Sequence, residues 1–571
     1  MISRPNVRQS TWLADVGVLV LVAAGLYGVS RIVQHGEAPL QLQPDIELSL
    51  WALPGYTLLS LLRGFLAYGI SLVFAILYGY VASHSPRAER VMVPLLDVLQ
   101  SIPVLGFLPS AVLLLIALFP TTNLGLELVS ILMIFTSQVW NMAFSVYQSL
   151  RNIPHELREA SALYQFSGWQ RFRRLELPAA AVGLAWNSMM AMAGGWFFLM
   201  VCEAFTLGAR DFRLPGLGAY MSVAIAHHDA RAIAAGLVAM VLMIVLVDVC
   251  VWRPILVWVQ KFRLGEATTA EAQGSMVLNW FRRSTLIQVA TARLAHPISE
   301  WLSSMTTASV PSTTHVPRSP LRLRTQVITG VCLIAGAGAT VWAALGFAHL
   351  VSRLSIPEWG QVIVGAGFTL LRVAAAVMLG TLWTIPVGMW IGQSRTLRNR
   401  LQPLVQVAAS FPAPMLYPLV LLALRQLGWG LGVGASILML LGTQWYVLFN
   451  VIAGASAVPD ELQEVAQAYH FTRWQRWRTL WWPGIFPYLI TGWVTAAGGA
   501  WNASIVAEYV SIGGRTFTAP GLGSLISVAA GQGAYSLLAA GVLTMAVVVL
   551  LVNRMLWKPL YRLGQTRYAY S

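Results

Sequence analysis

One polar, arginine-bearing segment occurs twice in this chain, as ELREASALYQFSGWQRFRRLELP at positions 156–178 and as ELQEVAQAYHFTRWQRWRTLWWP at positions 461–483. Aligned without a gap from Pro154 and Pro459, the two copies are separated by 459 − 154 = 305 positions. Twelve of the 25 aligned positions are identical, whereas composition alone gives roughly one or two matches over that length. The two segments therefore indicate an internal duplication.

The duplication extends well beyond these segments. Downstream, the offset of 305 also joins Trp196 with Trp501, Glu203 with Glu508, 215–218 with 520–523, and 252–254 with 557–559. Upstream, an offset of 309 joins Arg63 with Arg372, Pro94 with Pro403, 101–103 with 410–412, and Pro109 with Pro418. The chain therefore consists of two copies of one unit, with a short deletion in the second copy where the offset changes.

The composition is that of a membrane protein. Of the 571 residues, 57% are hydrophobic and 10% are charged, and the mean hydropathy is +0.66, whereas a soluble protein carries about a quarter charged residues. The formal net charge of +15 would suggest nucleic acid as the partner of a soluble domain. Here the basic residues lie between apolar segments and act as topology signals, so membrane lipid is expected around the protein and no nucleic acid.

Each half holds about six apolar runs of roughly the 20 residues that a helix needs to cross a bilayer. The predicted spans of the first half are 12–31, 57–82, 91–117, 126–148, 180–204 and 231–256. Those of the second half are 326–350, 361–391, 402–424, 431–452, 485–508 and 533–556. The predicted fold is an all-α polytopic membrane protein with about 12 transmembrane helices in two six-helix repeats.

The arginines of the first half set the predicted orientation. Nine of them lie at the N-terminus, after the second span and in the repeated loop, namely Arg4, Arg8, Arg87, Arg90, Arg151, Arg158, Arg171, Arg173 and Arg174. The opposite loops hold Arg210 and Arg213, apart from Arg31 and Arg231 at span edges. The positive-inside rule then predicts that both termini and both repeated loops are cytoplasmic. Because six spans is an even number, the repeats are expected to be parallel, about a pseudo-two-fold axis along the membrane normal.

Three regions are predicted along the chain. Residues 1–260 form the first repeat, with its loop at 153–178, and residues 325–571 form the second repeat, with its loop at 458–483. The basic linker 261–324 is expected to be cytoplasmic. Its composition leaves two alternatives open, a tether that only joins the repeats or a helix on the inner membrane surface.

The repeated loop has local signals of two short helices. Pro154 and Glu156 suit the first turn of a helix, where a missing N–H and a negative charge are both favourable. A turn is expected near 165–168, followed by a second short helix that bears Arg171 and ends at Pro178. Two such helices facing the cytoplasm would form a compact protrusion that suits a recess on a partner protein. Two copies of this loop would suit a symmetric pair of partners.

The loops resemble the Glu-Ala-Ala loop of ABC-importer permeases, in which Glu-Ala-Ala is followed by a glycine and then by Leu-Pro. The matching residues are Glu159-Ala160-Ser161 with Leu177-Pro178, and Glu464-Val465-Ala466 with Trp482-Pro483. Trp169-Gln170, Trp474-Gln475, the prolines of the third spans and a Glu followed by Gly-Leu-Gly resemble the nitrate, sulfonate, taurine and bicarbonate branch. The chain departs from the family at Gln165 and His470, where the glycine would stand, and at Trp482.

This resemblance implies the MetI-like fold of type I importer permeases, here as a fused pseudo-dimer that forms the whole pathway. It implies two copies of a cytoplasmic ABC ATPase, a periplasmic or lipid-anchored solute-binding protein, one copy of this chain per complex, and a place in the bacterial inner membrane. The implied solute is a small anion. The chain has no Gly-x-x-x-x-Gly-Lys-Ser/Thr sequence, so ATP and Mg²⁺ are expected on the partner ATPase. The implied coupling residues are Glu159, Ala160, Gln165, Trp169, Arg171 and Pro178, and Glu464, Ala466, His470, Trp474, Arg476 and Pro483.

Four ionisable residues repeat inside the predicted spans, Arg63 with Arg372 and Glu203 with Glu508. Such residues are costly in a membrane and face the interior, pair or snorkel. Three alternatives stay open: the arginines attract an anionic solute, each pairs with its glutamate to brace an outer gate, or they snorkel to the interface. Pro103 and Pro412 interrupt the third spans, either to line the pathway with freed carbonyls or as simple kinks.

Two other classes of protein compete with the importer. A gradient-driven secondary transporter with twelve spans would need no ATPase, but few acidic residues lie at mid-membrane to relay protons. A membrane-embedded enzyme or sensor would need a nucleophile, a metal cluster or paired carboxylates repeated in both halves, and none is found. No catalytic residue and no metal site are therefore predicted.

Overall fold

A computed structural model gives the fold of the chain. It describes residues 11–262 except 42, 102, 208 and 209, then 277, 278, 284, 338 and 342, and finally 345–567 except 513 and 514. The linker predicted at 261–324 and the span predicted at 326–350 lie almost entirely outside the described residues.

In the first half, long helices alternate with short ones. The elements are α1 (Thr11–Glu37), α2 (Leu53–His84), α3 (Pro86–Ser101), α4 (Leu108–Leu118), α5 (Leu124–Arg151), α6 (His155–Leu163), α7 (Gly168–Arg171), α8 (Leu177–Glu203), β1 (Ala204–Leu207), β2 (Arg210–Arg213), α9 (Leu217–Ala226), α10 (Ala230–Val247) and α11 (Arg253–Val259).

The second half repeats this order from α2 onward. Its elements are α12 (Ile356–Gly392), α13 (Arg395–Ser410), α14 (Tyr417–Gln426), α15 (Leu431–Ser456), α16 (Asp460–Ala468), α17 (Arg473–Arg476), α18 (Trp482–Ala507), β3 (Tyr509–Ile512), β4 (Arg515–Thr518), α19 (Leu522–Gln532), α20 (Tyr535–Val552) and α21 (Lys558–Arg567). The duplication found in the sequence is thus a duplication of structure.

The structure confirms the all-α, polytopic class. Within the described ranges, eight helices are long and apolar enough to cross a membrane, and nine if one bent pair counts as a single span. The predicted total of about twelve is not reached there, for three reasons. The span 326–350 lies outside the description, the span 91–117 forms two short helices, and α18, at the predicted span 485–508, is not among the eight.

Each predicted third span is broken at a proline. In the second half, α13 and the following segment Ala413–Leu424 meet at 77°, and Pro412 is extended between them (φ −71°, ψ 110°). Pro103 has nearly the same angles (φ −63°, ψ 112°) at the equivalent break. The N–H of Val104, just after that break, donates to Asn502 Oδ1 at 2.7 Å. The break in the first half therefore forms a polar contact with a helix of the second half.

Four π turns are each followed, after one residue, by a proline. The turns are 172–176, 248–252, 477–481 and 553–557, and the prolines are Pro178, Pro254, Pro483 and Pro559. In the first turn the Leu177 N–H donates to the Phe172 carbonyl, five residues back. The prediction that Pro178 ends the second short helix is therefore wrong, since one continuous helix runs from Gly168 to Glu203. The wider π turn supplies room where a proline ring would otherwise clash with the preceding turn.

Two short β-hairpins, which the all-α prediction omits, follow α8 and α18. β1 pairs with β2 and β3 with β4, both antiparallel, and Phe205 stacks on Phe212 with ring centroids 5.0 Å apart. The 27 residues of α8 rise about 40 Å at 1.5 Å per residue. The hairpins therefore lie at the opposite end of the molecule from the repeated loops.

The main hydrophobic core crosses from one half to the other. It contains Trp196 and Met192 of α8 together with the equivalent Trp501 and Ala497 of α18, all nearly without exposure. A continuous core of this kind holds the two halves in one body and leaves the polar loops at one end.

Candidate functional site

Arg63 lies at the centre of a buried ion cluster in the first half. Its Nε donates to Glu127 Oε2 at 2.7 Å, its Nη2 to Glu127 Oε1 at 2.8 Å, and its Nη1 to Glu203 Oε1 at 2.8 Å. Nη1 also donates to the Pro215 carbonyl at 2.7 Å. Glu127 lies 3.1 Å from His35 Nδ1. The arginine thus holds two carboxylates, one of them in a bidentate contact.

The Glu203 carboxylate also caps the following helix. Its Oε2 accepts from the Gly218 N–H at 2.8 Å, and its Oε1 accepts from Ser60 Oγ at 2.7 Å. Ser60 Oγ in turn accepts from the Leu217 N–H at 2.9 Å. The first free N–H groups of α9 are therefore satisfied by a carboxylate and a hydroxyl, as is favourable at a helix N-terminus.

The close contact between the glutamate carboxylate and the start of the next helix requires the glycines of the Gly-Leu-Gly sequence. A Cβ at Gly216 would collide with the Glu203 carboxylate, and a Cβ at Gly218 would meet the Met200 carbonyl oxygen at 2.8 Å. The same holds in the second half, where a Cβ at Gly521 would collide with the Glu508 carboxylate. The motif noticed in the sequence, a glutamate followed by Gly-Leu-Gly, is thus one packed unit.

The second half repeats the pair but not the whole cluster. Arg372 Nη1 donates to Glu508 Oε1 at 2.8 Å and to the Pro520 carbonyl at 2.6 Å. Thr369 takes the place of Ser60 and donates to Glu508 Oε1 at 2.9 Å. Arg372 Nε donates to the carbonyl of Gly432 at 3.0 Å, and Gly432 is the position equivalent to Glu127 at the offset of 305. Among the residues that the structure describes, this cluster has no second carboxylate and no histidine.

Burial and pairing of the two arginines bear on the alternatives left open by the sequence. Arg63 is 0% exposed and Arg372 is 8% exposed, so neither side chain snorkels to the surface. Both pair with the equivalent glutamate, and neither lines the cavity between the halves. The arrangement joins the second, fourth and fifth predicted spans and the start of the short helix that follows the fifth, while its role in a gate stays a prediction.

Glu127 and His35 were not among the residues that the sequence predicted for a site. An ionisable residue within an apolar run is a signal of interior function, and Glu127 carries it. The duplication does not single out Glu127, because the equivalent position in the second half holds Gly432. The sequence does not indicate a role for Ser60 or Thr369, because hydroxyl side chains are common in apolar helices. Their role follows only from their position beside the glutamate and the next helix.

The first repeated loop (153–178) folds as α6, a turn and α7. Gln165 adopts a positive φ of 49° in that turn, so it takes the left-handed conformation that glycine favours. Ser167 and Gln170 form a capping box at the start of α7, a pattern that satisfies two free backbone N–H groups. Arg158 Nη2 donates to the Leu150 carbonyl at 2.7 Å, which fixes α6 to the end of α5.

The second repeated loop (458–483) has the same geometry. His470 has a φ of 52°, and Thr472 and Gln475 form the equivalent capping box. Arg476 Nε donates to the Phe471 carbonyl at 3.1 Å. Although the glycine of the resembling family is absent from both loops, both turns have the left-handed conformation.

The remaining predicted loop residues divide into buried and exposed ones. Ala466 is buried in a small cluster with Val458 and Leu480, and Ser161, its counterpart, is buried too. Glu159 and Glu464 are exposed, Ala160, Trp169, Arg171, Pro178, Arg476 and Pro483 are half-buried, and Trp474 is 68% exposed. Each loop also presents large apolar side chains to solvent, among them Leu163, Tyr164 and Tyr469.

A cavity of about 440 Å³ lies between the halves, near the two hairpins. Pro109 and Pro418, one residue after the start of α4 and α14, line it from equivalent positions, whereas Pro103 and Pro412 shape the breaks and do not line it. In the described part of the chain, no group of three or more His, Cys, Asp or Glu side chains is placed to hold a metal ion.

Comparison with known proteins agrees with this arrangement of two equivalent halves. The family of binding-protein-dependent transport system inner membrane components matches the chain in two segments, residues 71–253 and 384–556. The taurine transport system permease protein of Escherichia coli is 28% identical over 236 residues, which are 38% of this chain and 81% of that protein.

Two further relatives are similar over a shorter region. A nitrate import permease protein of Synechocystis sp. is 27% identical over 146 residues, 26% of this chain and 51% of that protein. A bicarbonate transport system permease protein of Synechococcus elongatus is 29% identical over 146 residues, 25% of this chain and 51% of that protein. The match thus spans about half the length of these two relatives.

Proposed function

This chain belongs to the family of binding-protein-dependent transport system inner membrane components, and we propose that it is the membrane subunit of an ATP-driven importer. In this proposal the two halves together form the whole translocation pathway as a fused pseudo-dimer. The observation that carries it is the occurrence of one family segment in each half, each with the same exposed loop between α5 and α8 or between α15 and α18.

The two loops are proposed to dock on two copies of an ABC ATPase. Residues of both hairpins line one cavity, and α8 and α18 each run from a loop to a hairpin, so both loops lie at the same end of the molecule. Exposed apolar side chains at both loops, such as Tyr164 and Trp474, supply a surface that a socket could cover. ATP and Mg²⁺ would be held by that partner, and one copy of this chain would serve each complex.

The remaining parts of the proposal concern place and solute. Membrane-spanning helices and bacterial relatives support a multi-pass protein of the inner membrane, and we propose that both termini face the cytoplasm. A periplasmic or lipid-anchored binding protein would deliver the solute. Relatives named for taurine, nitrate and bicarbonate favour a small anion, while Arg63 and Arg372, already paired, add no support for it.

The test is capture of the partner ATPase. The full chain is extracted in mild detergent from its own host, and the proteins that accompany it are identified by mass spectrometry. Glu159→Lys and Glu464→Lys place the opposite charge on the exposed faces of α6 and α16. Glu47→Lys is the matched control, because Glu47 is exposed but precedes α2, far from either loop along the chain.

We expect a nucleotide-binding ATPase with the native chain and with Glu47→Lys, and much less of it with either loop variant. If crosslinking at Gln165 and His470 also captures no ATPase, the importer proposal fails. A secondary transporter driven by an ion gradient, which needs no ATPase, would then take its place.

A further inference from the structure

A basic cleft lies between α3 of the first half and the last long helix of the second half. It has a volume of about 640 Å³, and its lining includes Pro94, Leu550, Asn553, Arg554, Lys558 and Arg562. Its three basic residues follow one another at intervals of four along the continuous helix Tyr535–Gly564. Such spacing places them on one face of that helix, so one wall of the basic cleft is strongly positive.

The length of this helix places the basic cleft at the membrane surface. The helix has 30 residues, which rise about 45 Å at 1.5 Å per residue and exceed the hydrocarbon core of about 30 Å. Arg554 follows Tyr535 by 19 residues, or about 29 Å, so the basic residues begin where the hydrocarbon ends. A Cβ at the buried Gly564 would lie 3.0 Å from Ile490, near the loop end of α18. The basic cleft is therefore on the side of the repeated loops.

Two of the three basic residues have apolar counterparts in the first half. At the offset of 305, Val249 stands at the position of Arg554, and Val257 at that of Arg562. The duplicated fold therefore forms without these two charges. The tendency of basic residues to lie on the cytoplasmic side accounts for charge on this side of the membrane, but not for its concentration in one cleft.

The third basic residue has no counter-charge in the second half. In the first half, Arg253 Nε lies 2.9 Å from Asp248 Oδ2, whereas the equivalent residues of the second half are Lys558 and Asn553. Within the described ranges, no carboxylate forms an ion pair with any of the three basic residues of the cleft. Like charges that share one cleft repel one another, so an anion between them is favoured.

We propose that the basic cleft binds the phosphate headgroup of an anionic phospholipid, from the leaflet on the side of the repeated loops. Basic pockets between helices at this depth suit such headgroups. Leu95 of α3 and Leu551, one turn before Arg554, are exposed next to the cleft and would contact the acyl chains. An acidic surface of a partner protein would leave these apolar side chains uncovered, which favours a lipid.

The consequence is a lipid that joins the two halves, because Pro94 belongs to the first half and the basic residues belong to the second. This binding goes beyond the proposed function, since it requires neither an ATPase nor a solute.

The test is native mass spectrometry of the full, delipidated chain in detergent. The probes are dioleoylphosphatidylglycerol, which is anionic, and dioleoylphosphatidylcholine, which has no net charge. We expect one phosphatidylglycerol to be retained at concentrations at which no phosphatidylcholine is. Joint replacement by Arg554→Gln, Lys558→Gln and Arg562→Gln should weaken the affinity for phosphatidylglycerol about a hundredfold, as expected for three lost charges at an anionic headgroup.

A single substitution and a charge-matched control sharpen the test. Asn553→Asp reproduces the first half and should pair with Lys558, which weakens the affinity about fivefold. The control replaces three exposed arginines outside the basic cleft and removes the same net charge, by Arg31→Gln, Arg231→Gln and Arg353→Gln. It should bind phosphatidylglycerol like the native chain.

Three results would overturn the proposal. The first is unchanged affinity in the triple cleft variant, and the second is an equal loss in the control, which would mean that net charge alone attracts the lipid. The third is displacement of phosphatidylglycerol by a tenfold excess of inorganic phosphate, which would mean that the basic cleft holds a free anion.

The outcome is separable from that of the ATPase capture, because the titration uses the chain alone. Cleft-dependent lipid binding without any captured ATPase would support the lipid site and refute the importer. A triple cleft variant that loses the ATPase but keeps its lipid affinity would assign the basic cleft to the ATPase interface and refute the lipid site.

Discussion

The two halves share an arginine–glutamate pair but surround it differently. In the first half Arg63 holds both Glu127 and Glu203, with His35 beside them. In the second half Arg372 donates from Nη1 to Glu508 and from Nε to the carbonyl of Gly432. Both halves therefore contain an arginine that fixes a helix-capping glutamate. The second carboxylate, Glu127, occurs only in the first half.

The part common to both halves shows that the arginine–glutamate pair is part of the packed scaffold. Each glutamate caps the next short helix through a glycine N–H at 2.8 Å, so the arginine neutralises a carboxylate that the fold itself uses. In the first half a buried arginine faces two carboxylates, which makes that half more dependent on its arginine than the second half is on Arg372.

The repeated loops differ in a similar way. In the first loop the buried Glu176 lies 3.0 Å from His84 Nε2 at the end of α2 and 2.8 Å from Arg171 Nε. In the second loop the equivalent position holds Trp481, which packs against Val458 and Leu480. The same loop geometry is thus held by charges in one half and by apolar packing in the other.

The largest expected effect comes from removing the arginines. Arg63→Leu leaves two buried carboxylates without their counter-charge and should cost about 3–5 kcal/mol of the free energy of unfolding. Arg372→Leu leaves one carboxylate and should cost clearly less. The apparent melting temperature of the detergent-solubilised chain, followed by size-exclusion chromatography, compares the two variants.

The control for this pair is Arg400→Leu, at an exposed arginine of α13, which should melt like the native chain. An equal loss for Arg63→Leu and Arg372→Leu would show that Glu127 adds nothing to the dependence on Arg63.

A smaller effect is expected from converting the first cluster toward the second. Glu127→Gln keeps an oxygen acceptor near Arg63 and leaves the pair with Glu203, which is the arrangement of the second half. It should cost about 1–2 kcal/mol of the free energy of unfolding, for weakened hydrogen bonds to a charged group. The same melting assay measures it. A loss as large as that of Arg63→Leu would mean that the three charges act as one unit and that the halves cannot be compared pair by pair.

The smallest effect concerns the two loop turns. Gln165→Gly and His470→Gly relieve a non-glycine residue held at positive φ and should each stabilise their loop by about 0.5–1 kcal/mol. Amide hydrogen exchange within that loop should slow by about two- to fivefold. Gln165→Ala retains the Cβ, so it serves as the control and should not stabilise the loop. A gain in only one loop would show that the two turns are not equally strained.

Much of the fold could be predicted from the sequence because its signals are local or repeated. The apolar runs indicated a polytopic helical protein, and the segments at 156–178 and 461–483 indicated two copies of one loop. Pro154 and Glu156 placed α6 within a residue or two of its observed start at His155. Equal spacing in both copies singled out Arg63, Glu203, Arg372 and Glu508, and their pairing was one of the three alternatives left open.

The misses have physical causes. The third spans are broken because Pro103 and Pro412 are extended, and a proline in a sequence does not distinguish a kink from a break. The helix passes through Pro178 because a π turn precedes it, and no composition signal announces such a turn. Glu127 is not singled out by the repeat, because the equivalent position in the second copy holds Gly432.

The membrane class, the duplication and the position of both loops along the chain can be predicted from local hydropathy and from self-similarity. The simultaneous contacts of Arg63 with Glu127 and Glu203, 64 and 140 positions away, are visible only in the folded chain. Such contacts depend on how distant helices pack, because a buried charge or hydroxyl is satisfied by whichever partner the packing brings within hydrogen-bond distance.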